Sequence, residues 1–191
     1  MYRYIVSCAF IAAIILASGS YFFRTYWEHR YDDLIARQAR VYRIDERLVW
    51  SIIYEETWFQ AWKIGADQEV GLMQVTPLVA REWARETGLK EFERQAAVNV
   101  AEFLGDPERS IQIGCWYFEK IRERYRGRPA ETAMTLAAYN AGPSRVEEWT
   151  KDADDRLMSE AEFVSRIGIA STKAYVSSIL ERYRTGDVRK V

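Results

Sequence analysis

Almost every break in the apolar patterning of this chain carries a glycine, a proline or a capping side chain, and the segments between the breaks follow helical spacing. The clearest case is "VTPLVAREWARETG". Thr76 can accept from the first unpaired backbone donors, Pro77 suits the first helical position, and Gly88 follows the end. Asp45 can cap a helix over 46–58 in the same way. "DPERSIQIGCWYFEKIRERYRG" reads as a long helix from Pro107 to about Arg126, stopped by Gly127. Further helices are expected over 130–140, after a Ser144 cap, over 160–167 after Ser159, and from Ser171 or Thr172 to near Gly186. In "YDDLIARQARVY" (31–42), Leu34, Ile35, Ala39, Val41 and Tyr42 form an amphipathic stripe. No stretch alternates apolar and polar residues between hairpin turns. The expectation is one all-α domain over residues 31–187, without repeats or low-complexity linkers.

Ahead of it, residues 5–23, "IVSCAFIAAIILASGSYFF", carry no charge. Nineteen helical residues span roughly 30 Å, the thickness of a bilayer core. Arg3 precedes the run, and Tyr21, Phe22, Phe23, Tyr26 and Trp27 crowd its exit, as an interfacial belt would. The expectation is an export signal. Either it is cleaved near Ala17 and Gly19, or it stays as a transmembrane signal anchor, which the apolar continuation past the small residues favours. The domain plan is therefore 1–23 signal anchor or signal peptide, 24–30 juxtamembrane segment, and 31–187 the folded domain. Cys8 has no hydrophobic stretch before it, which argues against lipidation there.

Composition removes several chemistries. A net charge of −1 supplies no basic field for nucleic acid. The single histidine, His29, borders the N-terminal segment, so a Ser–His or Cys–His machine in the body of the domain is excluded. Cys8 and Cys115 have no zinc-like spacing, and no metal or organic cofactor is implied. Seven Trp and twelve Tyr serve a core, and can also stack on sugars.

Two adjacent glutamates interrupt "VWSIIYEETWF". On a helix, Glu56 has Val49, Ile52 and Ile53 at i−7, i−4 and i−3, and Phe59 at i+3, so it falls on the apolar stripe. Glu55 is rotated about 100° away and reads as a solvated surface charge. A carboxylate on an apolar stripe costs free energy unless it is paired or protonated. Desolvation raises its pKa, and a carboxyl held neutral near pH 6 can protonate a leaving group. Pairing with a buried arginine, or capping another helix, explains such a glutamate equally well.

Several blocks carry a family resemblance. "ETWF" (56–59) matches a Glu-Ser-x-Phe motif with Thr57 in place of serine. "GLMQVTP" (71–77) follows fifteen residues after the glutamate, and "AAYNAGP" (137–143) matches an Ala-x-Tyr-Asn-Ala-Gly block. "DPERSIQIGCWYF" and "STKAYVSSIL" are similar to two further helices, with Ser110 where asparagine is common. Spanning about residues 46–182, the chain resembles a lytic transglycosylase of the soluble type, in the lysozyme-like superfamily.

That resemblance implies a lysozyme-like helical fold and cleavage of peptidoglycan glycan strands. Glu56 would be the sole catalytic residue. It would protonate the β-1,4 oxygen between N-acetylmuramic acid and N-acetylglucosamine, then take the proton of the muramoyl 6-hydroxyl as a 1,6-anhydro ring closes. Thr57, Met73, Gln74, Tyr139, Asn140 and Tyr175 would bind substrate, with Thr57 bonded to Glu56 or to the sugar and Tyr139 orienting Glu56 through its hydroxyl. The setting implied is a bacterial envelope, with the domain in the periplasm. A lysozyme-type hydrolase remains the alternative if Asp67 or Glu69 reached across the groove at roughly 6.5–9.5 Å to activate water. An inactive glycan-binding scaffold is a further one. Residues read without the family allow a structural pair for Glu69 and core filling for Met73.

Overall fold

The computed structural model describes residues 2–89, 94 and 99–186, with side chains from residue 11 onward. Helix α1, Tyr2–His29, leads into α2 (Asp32–Tyr42), α3 (Glu46–Thr57) and α4 (Pro77–Glu86). Then come α5 (Val100–Gly105), α6 (Pro107–Arg122), α7 (Glu131–Ala141), α8 (Pro143–Thr150), α9 (Glu160–Arg166) and α10 (Ala170–Thr185). Among the described residues the fold is all-α, and the β pairing consists of isolated bridges at Ile64, Val70 and Val75. The last residue of the expected 31–187 domain lies outside the described residues.

Local chemistry sets most starts. Asp45 accepts from Arg47 N–H, Thr76 from Val79 N–H, Asp106 from Arg109 N–H and Ser159 from Glu162 N–H. Two expected caps differ. Helix α8 starts at Pro143 behind Gly142, whose φ of +87° suits glycine, so Ser144 is already inside it. Helix α10 starts at Ala170 without a side-chain cap, which puts Ser171 and Thr172 in its first turn. The long helix ends at Arg122, and a 3₁₀ turn over Glu123–Tyr125 carries the chain on to Gly127.

Helix α7 is the hub. Residues 133–138 are all buried, so the helix is enclosed around its whole circumference, and the hydroxyl of its one polar side chain there, Thr135, donates to the Glu131 carbonyl. Helices α6, α8, α9 and α10 pack around it, and α10 also packs along α3. Helix α6 runs against α2, α4, α5 and α7. Loop 58–76 is pinned onto α6. Gly71, at φ +80°, lies so close that a Cβ there would stand 2.2 Å from the Leu104 carbonyl. Met73 N–H donates to Ser110 Oγ at 3.2 Å, so Ser110 ties this loop to the helix.

Gly114 on α6 faces Met73, and a Cβ there would come within 2.6 Å of both the Met73 Cβ and its sulfur. Gly114→Ala is therefore expected to destabilise the fold by about 1–3 kcal/mol, read as a lower urea midpoint. An unchanged midpoint would mean that the loop moves away freely.

The N-terminal segment is helical, but the expectation of a membrane anchor is not supported. Helix α1 is 28 residues long, and Ile11, Ile14, Ile15, Leu16, Phe22 and Phe23 are each at least half exposed. Among the described residues, however, no helix is long and apolar enough to cross a membrane. The expected span includes residues 5–10, whose side chains lie outside the described ones. The segment after it is fastened to the domain. Trp27 Nε1 donates to the Trp58 carbonyl at 2.8 Å, and Trp50 Nε1 to the Glu28 carbonyl at 3.1 Å. The Arg30 guanidinium lies 3.5 Å over the Trp27 ring and donates to the Phe59 carbonyl.

Candidate active site

Helix α3 presents Val49, Ile52 and Ile53 to the core at full burial, and Glu56 stands one turn further along that face. The helix stops there because Trp58 and Phe59 both take positive φ, 48° and 61°. This turns the Phe59 ring back into the core and leaves Glu56 on the last turn, at the edge of the apolar interior.

Burial raises the Glu56 carboxyl from 4.5 to about 7. The Tyr175 hydroxyl donates to its Oε1 at 2.8 Å and, with the Lys63 ammonium, pulls in the opposite direction. The nearby carboxylates Glu69 and Glu55 add to the rise. Lys63 also donates to the Glu56 backbone carbonyl, which closes the C-terminus of α3 with a cation. A carboxyl poised near neutrality and held by a neutral hydroxyl can give up a proton and take one back. Burial, with Glu56 next in order, pushes the Tyr175 and Tyr139 phenols well above their usual range, so both stay protonated donors.

Tyr175→Phe keeps the ring and removes the donor. The Glu56 carboxyl is expected to titrate about one pH unit higher or less, because a hydrogen bond to the charged form lowers a carboxyl pKa. A carbon-13 NMR titration of the glutamates reads this, and an unmoved resonance would deny the bond.

The other expected contacts are arranged differently. Tyr139 donates to the Met73 carbonyl at 2.8 Å instead of orienting Glu56. Tyr175 makes that contact, because α10 rather than α7 delivers a hydroxyl to the carboxyl. Thr57 is buried and its hydroxyl is shared between the Ile53 and Leu72 carbonyls, at 3.1 and 3.2 Å, so it ties α3 to the loop and bonds neither Glu56 nor solvent. The Met73 side chain is fully buried against Gly114, so it fills core instead of lining a groove. Gln74 has φ 45° and donates through Nε2 to the Lys63 and Gly71 carbonyls at 3.2 and 3.0 Å. Asn140 Oδ1 accepts from the Thr172 hydroxyl at 2.7 Å, joining the "YNAGP" turn to α10.

Glu69 accepts from Asp67 N–H at 2.8 Å, which gives it a place in the turn of its own loop. Glu55 is not a solvated charge. Its Oε2 accepts from Ser178 Oγ at 2.7 Å and from Arg182 Nη1 at 3.1 Å, and the Arg182 side chain is only 2% exposed. Patterning within α3 could not show this, since the partner lies 127 residues away. A signal did exist on α10, where Tyr175, Ser178 and Arg182 share one face at i, i+3 and i+7. Lys63 was missed because loop 58–76 folds back onto the end of α3, and Thr172 because its partner Asn140 lies on another helix. A cavity of about 520 Å³ is lined by His29, Asp33, Arg47, Trp50 and Arg182 but not by Glu56.

The Transglycosylase SLT domain family matches residues 33–161. The chain belongs to that family. It is 29% identical over 176 residues to the soluble lytic murein transglycosylase of Escherichia coli K12, covering 84% of this chain and 25% of that protein. It is 31% identical over 134 residues to the membrane-bound lytic murein transglycosylase F of Hahella chejuensis, covering 65% and 23%. The solved 70 kDa soluble lytic transglycosylase of E. coli superposes with a TM-score of 0.68 at 26% identity, over 82% of this chain and 25% of that one. A 70 kDa soluble lytic transglycosylase solved in complex with bulgecin A is similar at 26% identity, with a TM-score of 0.68 over 83% of this chain and 25% of that one. The present chain thus spans about a quarter of the length of these relatives.

Proposed function

We propose that this chain is a peptidoglycan lytic transglycosylase, with Glu56 as its acid and then its base. The observation that carries the reading is one carboxyl, raised by burial to about 7, at the end of an apolar helix face and held by the Tyr175 hydroxyl. In its protonated form Glu56 gives the β-1,4 oxygen a proton as the bond to N-acetylmuramic acid breaks. As a carboxylate it then takes the proton of the muramoyl 6-hydroxyl, which closes on the anomeric carbon. Atoms balance without water, and the attacking hydroxyl is already part of the sugar, which supplies proximity. This route needs no second carboxylate, unlike the two-carboxylate hydrolases. The neighbouring acids support it, because Glu55 and Glu69 are both engaged by protein donors. Tyr175 serves here as the group that orients the acid. Thr57, Met73, Gln74, Tyr139 and Asn140 shape the groove through the loop and turn they hold.

The setting proposed is the cell envelope, with residues 1–23 as a signal anchor or signal peptide, 24–30 as its junction and 31–187 as a periplasmic domain. The uncharged run over 5–23 and the exposed aromatics Tyr21, Phe22, Phe23 and Tyr26 support the anchor.

Purified sacculi incubated with the chain test the activity. Soluble glycan fragments are expected from the unaltered protein and not from Glu56→Gln. Release by both proteins would remove Glu56 from the chemistry.

A further inference from the structure

We propose that Glu55, clamped by Arg182 and Ser178, is a positioning residue that orients and electrostatically sets its neighbour Glu56. The inference rests on the reading of Glu56 as the acid. Adjacent residues on α3 are gripped by one face of α10: Tyr175 holds Glu56 at 2.8 Å, while Ser178 and Arg182 hold Glu55 at 2.7 and 3.1 Å. Arg182 is itself fixed. It donates to Ser178 Oγ at 3.0 Å, reaches the Ser51 carbonyl at 3.5 Å, and lies 4.2 Å over the Tyr54 ring. A buried arginine of this kind is expensive unless paired, so losing either partner is felt locally.

Two consequences follow from the geometry. The pair sets the rotation of the last turn of α3 against α10, and thereby the meeting of Glu56 with Tyr175. It also balances a negative charge one residue from the acid. Unbalanced, that charge would oppose ionisation of Glu56. The other groups facing Glu56 are Tyr139 from α7 and Lys63 and Glu69 from the loop. The groups near Arg182 on its cavity side are His29, Asp32, Asp33, Glu46 and Arg47.

The test is the pH profile of kcat/KM for glycan cleavage, using the full chain, with Glu55→Gln, Arg182→Met and Arg182→Lys. Activity that needs protonated Glu56 falls on the alkaline side. Arg182→Met leaves the Glu55 carboxylate unbalanced, so this limb is expected to move up by roughly 0.5–1 pH unit. Glu55→Gln leaves the arginine unbalanced, so the limb is expected to move down by a similar amount. Arg182→Lys keeps the charge and is expected to restore the limb. A purely structural pair would lower activity in both variants without moving the limb in opposite directions, and that result would overturn the proposal. If Arg182→Met does not fold, the near-isosteric Glu55→Gln decides alone, and an unmoved limb refutes the idea. Activity surviving in Glu56→Gln would instead overturn the underlying reading of the site.

Discussion

Glu56→Gln is expected to cut glycan cleavage by roughly 10²–10⁴-fold or more, with the fold intact. The amide has the volume of the carboxyl and still accepts from the Tyr175 hydroxyl, so the last turn of α3 keeps its packing. What it lacks is a transferable proton, and the proposed reaction asks the same group to give one and take one back. The neighbours offer no substitute, because Glu55 is tied to Arg182 and Ser178, and Glu69 to its own loop. Substrate binding through the rest of the groove is left in place, so the loss belongs in kcat and not in KM. A variant retaining activity within tenfold would place the acid elsewhere.

The same substitution is expected to stabilise the protein at alkaline pH. In the folded chain the Glu56 carboxyl keeps its proton up to about pH 7, against an ordinary 4.5. Between those values the folded state binds more protons than the unfolded one, so stability falls as pH rises. The contribution is fully present below the ordinary value and is lost once pH passes about 7. The gap corresponds to roughly 3 kcal/mol, which contact with solvent at the helix end reduces to about 2. Glutamine has no charge to desolvate. Urea unfolding at pH 5 and pH 8 is therefore expected to show a decline in the unaltered protein that is missing in Glu56→Gln, leaving the variant the more stable of the two at pH 8. Equal declines would assign the titration to another group. An inactive variant that is more stable than its parent is what a functional carboxyl at an apolar edge implies.

The helices were legible at most ends set by a neighbouring side chain, although α5, which Asn99 caps, is missing from the sequence expectation. Asp45, Thr76, Pro107 and Ser159 act within a turn of their own position, which local spacing reveals. Ser144 and Ser171 misled because a serine near a break can sit just inside a helix whose start is set by the backbone before it, as at Gly142. The apolar setting of Glu56 was legible for the same local reason, since three of its four stripe neighbours lie on its own helix. Glu55 was misread because periodicity reports which way a side chain leaves its helix and not what another helix brings to meet it. Most of the residues expected to bind substrate lie on loop 58–76 and at the end of α7. Their side chains nevertheless do different work, with Met73 in the core and the Thr57, Gln74 and Tyr139 groups bonded to backbone carbonyls. Those contacts depend on how loop 58–76 docks onto α6 and α7, which no local spacing records.

The central claim is that Glu56 acts without water, and product mass tests it most directly. Mass spectrometry of the fragments released from purified peptidoglycan is predicted to show muramoyl ends lighter by one water than hydrolysed ends, as 1,6-anhydro rings require. Reducing ends at the full hydrolytic mass, still dependent on Glu56, would contradict the account and make this chain a hydrolase.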